Sequence, residues 1–241
     1  MALGLLASVL LLAACAPVYL HVPPDLAEST LADDVRGELR RVPLIARLAP
    51  AGRVAREDRD VLLFSHLWDD ASGRDGGPRA LRLPDDRQGA LESAAQWLSE
   101  ETDLPILVVV PDQDARRQGE AGRLREVNPA ITILTVSTDG DAEQSMAGVR
   151  REIHRNDGLA GILILSGDFG VSLARVISNS LPDPPPLVLE LLFAAHGTRL
   201  RRAGIRIAGA VVIDLAETVR TLDKDPEASE YVYMVSRFVR Y

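Results

Sequence analysis

Past residue 88 the chain alternates between amphipathic stretches and unbroken apolar runs. In ALESAAQWLSEE the apolar positions Leu91, Ala94, Ala95 and Leu98 recur at i, i+3, i+4 and i+7, which predicts a helix. LPILVVV (Leu104 to Val110) has no polar position, as in a strand buried on both faces. The alternation continues. Arg116 to Val127 reads as a helix, AITILTV (Ala130 to Val136) as a strand, and DAEQSMAGVRREIHR as a helix with Asp141 as its N-cap. LAGILIL (Leu159 to Leu165) is a strand and VSLARVIS a helix. Pro184 to Pro186 interrupt the chain before LVLELLFAAHGTRL, whose pattern alone does not decide strand from helix; the favoured reading is a strand through Leu191 and then a helix. IAGAVVI (Ile207 to Ile213) is a strand, LAETVRTL a helix, and YVYMVSRFV (Tyr231 to Val239) a final strand on an antiparallel edge. Strands alternating with helices of this length imply right-handed βαβ crossovers. The predicted fold class is α/β, a three-layer sandwich around a mainly parallel, doubly wound sheet.

The first hundred residues are less regular. Leu31 to Val42 suits a short helix, while VPLIARL (Val42 to Leu48) and DVLLFSHLW (Asp60 to Trp68) read as strands. Asp69 to Pro78 is a loop by its Gly, Asp and Pro content, and Ala16 to about Leu31 is Pro-containing and aperiodic, as in a tether. Before it, Ala2 to Ala14 are apolar or small throughout, about the length of a signal-peptide core. A membrane-spanning helix needs about 20 apolar residues, and Pro17, His21 and the Pro23-Pro24 pair come too early for one. The run ends at LAAC, and Cys15 is the only cysteine of the chain. This stretch resembles the lipobox of bacterial lipoproteins. The resemblance implies that Cys15 carries a diacylglycerol and becomes the mature N-terminus. Ala16, where an inner-membrane retention signal would place Asp, implies the periplasmic face of the outer membrane in a host with two membranes. The expected organisation is a signal peptide at 1–14, a tether at 15–31, an N-terminal part at 32–103 and an α/β lobe at 104–241.

Charge narrows the classes. With 35 acidic and 27 basic residues, the net charge of −8 opposes broad binding to nucleic acid, and 4% aromatic residues give few stacking platforms. Lys224 is the sole lysine, in TLDKDP, so there is no lysine-bearing phosphate loop and no ready Schiff-base residue. One cysteine cannot close an intramolecular disulfide.

RLREVNPAITILTVSTDGDAEQSMAGVRREIHRNDGLAGILILSGD and IRIAGAVVIDLAETVRTL carry a second likeness. From about Leu104 to Leu222 the order of helix, strand, Gly-Asp helix start and Asn-Asp-Gly stop resembles the second lobe of type 1 periplasmic solute-binding proteins. That family binds ligands between two similar lobes, and residues 16–103 are short for a full first lobe. The resemblance implies binding of a small polar solute without catalysis.

In open parallel sheets ligands sit beyond the carboxyl ends of the strands. Here those ends offer Asp112, Asp114, Asp139, Ser166, Asp168 and Asp214 as candidate ligand contacts. Taken singly, each is better suited to capping the helix that follows, since a carboxylate or hydroxyl accepts free backbone N–H groups there. Asp112-x-Asp114 resembles the nucleophile pair of haloacid-dehalogenase-like enzymes, but no lysine stands in support, and a Mg²⁺ or Ca²⁺ site from the same oxygens is only weakly signalled. Gly170 to Ala174 resembles a degenerate nucleophile elbow around Ser172, yet that serine lies too far past the strand, and no histidine follows His196. His21, His66, His154 and His196 lack metal-ligand spacing; His66 with Asp69 and Asp70 reads as loop capping. Trp68 and Trp97 read as core or interface residues rather than sugar platforms. No cofactor and no metal are expected. The partners expected are the membrane through Cys15, a small polar solute and an envelope protein. The alternatives are an envelope-assembly lipoprotein that docks a protein on the α/β domain, and, third, an esterase.

Overall fold

The computed structural model describes residues 18–22, 46–50, 61–64, 80–83, 85–138, 142–191, 193–214, 217 and 234–241, with backbone alone before residue 87 and at Asp168 and Met234. The chain divides into two compact units, Met1–Asp86 with Asp214–Val235, and Arg87–Ile213 with Ser236–Tyr241.

In the first unit four strands form a parallel sheet: β1 (Val18–Val22), β2 (Ala46–Pro50), β3 (Val61–Phe64) and β4 (Ala80–Leu83), in the order β2-β1-β3-β4. Leu20 stands opposite both Leu48 and Leu62. A further two-residue strand, β5 (Asp85–Asp86), runs parallel to Met234 and Val235. The stretch read as an aperiodic tether therefore contains an inner strand. VYLHV is rich in β-formers, but five residues before a Pro-Pro pair are too few to show a period; pairing on both sides defines the strand. β4 and β5 were likewise absent from the sequence reading. The predicted helix at Leu31 to Val42, the loop at Asp69 to Pro78, Trp68, and most of LAETVRTL lie outside the described residues, as does Cys15.

The second unit is a three-layer α/β sandwich. Its elements run α1 (Gln88–Leu98), β6 (Ile106–Pro111), α2 (Ala115–Val127), β7 (Ile131–Val136), α3 (Ala142–Arg155), β8 (Gly161–Ile164), α4 (Gly167–Ser180), β9 (Leu187–Glu190), α5 (Ala194–Arg202), β10 (Gly209–Ile213) and β11 (Met234–Arg240). The strand order is β11-β10-β9-β8-β6-β7, parallel except for β11, which runs antiparallel to β10. Every residue of β6, β8 and β10 is buried, as unbroken apolar runs require when helices cover both faces.

The pleat sends alternate residues to the two faces. Ile106, Val108 and Val110 join Leu91, Ala94 and Leu98 of α1 and Ala121 and Leu124 of α2. Leu107 and Val109 join Met146 and Val149 of α3, Leu173 and Ile177 of α4 and Leu200 of α5. Because α2 follows β6 toward β7 while α4 follows β8 toward β9, the winding reverses between β6 and β8. The predicted α1 positions pack as the periodicity demands, and α1 belongs to this compact unit. Trp97 packs against Phe238 of β11, ring centroids 5.3 Å apart, with the Arg240 guanidinium 5.3 Å above it. Trp97 is thus a half-buried residue packed against the core.

Helix ends at the amino edge close on their own backbone. After α3, Asp157 and Gly158 take φ values of 53° and 126°, and the Gly158 N–H donates to Ile153 O at 3.0 Å. After α5, Gly204 at φ 85° lets the Ile205 N–H reach Leu200 O at 3.0 Å.

Candidate functional site

Where the winding reverses, the connections after β6 and β8 leave in opposite directions and open a crevice. It is a cleft of about 430 Å³ lined by Pro111, Gln113, Asp114, Ala115, Arg117, Thr138, Ser166, Gly167 and Phe169. All of these belong to the second unit. The polar groups come from the first residues of α2 and α4 and from the turn after β7, and one aromatic face, Phe169, stands among them.

Asp114 caps α2. One carboxylate oxygen accepts the Arg117 N–H at 2.9 Å, and the other pairs with the Arg117 guanidinium. Burial pushes its pKa up, but the Arg117 backbone N–H, side chain and charge, with a weaker pull from Arg87, outweigh that. The carboxyl titrates below the ordinary aspartate value of 3.8. Ser166, 6% exposed, precedes α4 but makes no side-chain cap bond, and its carbonyl accepts from the Gly170 N–H.

A network of charges stands behind the cleft. Arg117 donates from Nε to Glu190 Oε2 at 2.9 Å and from Nη2 to Glu190 Oε1 at 3.0 Å. Glu190, at the end of β9, also pairs with Arg87, the first residue of the unit. Arg87 Nε donates to both oxygens of Glu120 in α2, at 3.2 and 3.1 Å, and Arg116 Nε reaches Glu120 Oε1 at 3.2 Å. Arg87 and Glu120 are only 4% and 3% exposed. Burial lowers the pKa of Arg117, but Glu190 and then Asp114 raise it further, so it stays charged throughout the range of protein stability. Three guanidinium groups face three carboxylates.

Of the predicted candidates, Asp114 and Ser166 line the cleft. Asp112 is exposed and absent from its lining. Its N–H donates to Val136 O at 2.9 Å and its carbonyl accepts from Gln118 Nε2 at 2.8 Å, so it fastens the turn. Asp214 opens the returning segment of the first unit and accepts the Glu217 N–H at 3.0 Å, again a cap. Asp139 and the side chain of Asp168 lie outside the described residues. Ser172 is an exposed residue inside α4, not at a strand-to-helix turn, which removes the geometry an elbow needs. Among the described residues no group of three or more His, Cys, Asp or Glu is placed to hold a metal ion. His66, Asp69 and Asp70 are outside them. No helix among the described residues is long and apolar enough to cross a membrane.

Sequence reasoning passed over Arg117, Phe169, Arg87, Glu120 and Glu190. Two carried a signal. An arginine in the first turn of a helix opposes the helix dipole unless anions hold it. A glutamate inside LVLELL, on a buried strand, must find a cation.

No protein-family model matches the chain, and no curated protein matches it in sequence. Solved structures do match in shape. A LacI family transcriptional regulator from Arthrobacter sp. FB24, in complex with lactose, superposes with a TM-score of 0.58 at 15% identity, covering 93% of this chain and 97% of that one. An arabinose-binding protein from Geobacillus stearothermophilus gives 0.57 at 13% identity, covering 93% and 96%. A glucose-galactose-binding protein from the same organism gives 0.53 at 10%, covering 93% and 98%. The fold is that of the type 1 periplasmic binding proteins, and the likeness spans both units.

Proposed function

We propose that the protein is an exported lipoprotein, anchored through Cys15, that binds a small polar solute without transforming it. The observation that carries this reading is the cleft at the winding reversal. It is a shallow, open depression beyond the strand ends, and it gathers Gln113, Asp114, Arg117, Thr138 and Ser166 with the single aromatic Phe169. A few fixed polar groups and one apolar face are what orientation of a hydroxylated ligand needs. The cleft joins no serine or cysteine nucleophile to a histidine base among the described residues, and the neighbours in shape include sugar-binding proteins, which supports binding over turnover. The LAAC stretch supports lipid attachment and a place in the cell envelope.

Thermal melting with a panel of sugars, nucleosides and amino acids tests the proposal. A ligand at a hundred times its Kd raises stability by about 2.7 kcal/mol, and Phe169→Ala should abolish that gain. No shift with any compound would overturn solute binding and favour docking of an envelope protein. Cys15→Ala should move the protein from the membrane fraction to the soluble one, and retention there would overturn the anchor.

A further inference from the structure

We infer that Glu190 and Asp114 set the charge class of the ligand, by neutralising the one arginine that lines the described cleft so that it accepts uncharged solutes and turns anions away. The inference rests on the solute-binding reading above and adds to it which solutes enter.

A guanidinium has five N–H donors. Arg117 spends three on carboxylates: Nε and Nη2 on the two oxygens of Glu190, at 2.9 and 3.0 Å, and Nη1 on Asp114. One hydrogen on each of Nη1 and Nη2 remains, enough for hydroxyl or carbonyl oxygens. The side chain is only 22% exposed, and Glu190 behind it 12%, so water screens the pair poorly and an anion entering the cleft would meet a cation already neutralised by two carboxylates. Glu190 cannot simply turn aside, because Arg87 holds it from the other direction and is itself held by Glu120. The start of α2, a natural seat for an anion, is already filled: Asp114 accepts the Arg117 N–H there. At the start of α4 Ser166 makes no side-chain cap bond, and it lies in the same lining. Arg117 can hold an anion only when the carboxylates that neutralise it are gone.

Inorganic phosphate is the probe, measured by titration calorimetry at neutral pH on the full chain. Glu190→Gln keeps the shape and one acceptor oxygen while removing the charge; Asp114→Asn keeps the cap, since asparagine caps as well as aspartate. The wild type should show no saturable phosphate binding. Each variant should acquire it, and the double variant should bind about tenfold tighter than either. Melting curves establish that each variant is folded, and Asp114→Asn, at the more exposed carboxylate, stands in should Glu190→Gln fail to fold. Folded variants that bind phosphate no better than the wild type, or a wild type that already binds it, would overturn the inference. Neutral-solute binding with no gain of phosphate sinks this inference alone. Gain of phosphate with no neutral solute sinks the solute reading and leaves the charge gate standing.

Discussion

The two edges of the second unit's sheet use the same strands and end in opposite chemistry. At the carboxyl edge, helices begin, and each brings backbone N–H groups without partners. Asp114 answers that need at α2, and the charged network assembles behind it. At the amino edge, helices stop, and Gly158 and Gly204 let the backbone satisfy its own carbonyls. The larger concavity is at this second edge, about 620 Å³ between Pro184 to Pro186, Arg201 and Ile205 to Ala208. Its donor-rich Arg206 is partly engaged, since Nη1 donates to Pro182 O at 2.6 Å and the backbone N–H to Ser178 Oγ at 3.0 Å. The Arg201 guanidinium lies 5.7 Å from the centre of the Tyr241 ring. Volume alone does not make a binding site; converging donors and acceptors with capacity left do.

That contrast predicts a ladder of effects. Arg87→Ala, at the carboxyl edge, leaves the buried Glu120 with Arg116 alone and loosens Glu190, and should lower stability by about 3 kcal/mol in urea unfolding. Gly204→Ala, at the amino edge, forces a Cβ into left-handed backbone and should cost about 1–2 kcal/mol in the same assay. Asp114→Asn keeps the cap but removes the charge pair, for about 0.5–1 kcal/mol at neutral pH. Its pH dependence has a definite sign. The folded carboxyl titrates below 3.8, so the wild-type advantage is complete above the unfolded value. It fades as pH falls through the lower folded one, and the two proteins should become equally stable in strong acid. Arg206→Ala, exposed at the amino edge, should cost no more than about 1 kcal/mol. A loss at Arg206 matching that at Arg87 would erase the distinction between the edges.

Most of this sheet was legible from sequence because burial on both faces leaves no room for a polar residue in β6, β8 or β10, and because turn residues such as Asp157-Gly158 punctuate the helices. The antiparallel pairing of β11 and the change from strand to helix after Glu190 also follow the sequence reading. Part of the cleft was legible for a related reason: Asp114 and Ser166 stand directly beyond strand ends. Asp112 stands there too, yet turns outward, because which of two neighbouring carboxylates caps a helix depends on backbone angles that no pattern encodes. The network was invisible as a whole, since Arg87, Glu120 and Glu190 lie far apart in the chain and meet only through the sheet order. The strand at Val18–Val22 escaped notice because its identity comes from β2 and β3 rather than from its own five residues.

That strand has a mechanical corollary. With an acyl anchor on Cys15, only Ala16 and Pro17 would separate the lipid from Val18, a reach of about 10 Å even when fully stretched. A parallel sheet hung from a bilayer by the leading end of an inner strand has little freedom to swing. The far ends of β1, β2, β3 and β4 would then face outward, toward whatever diffuses past the membrane.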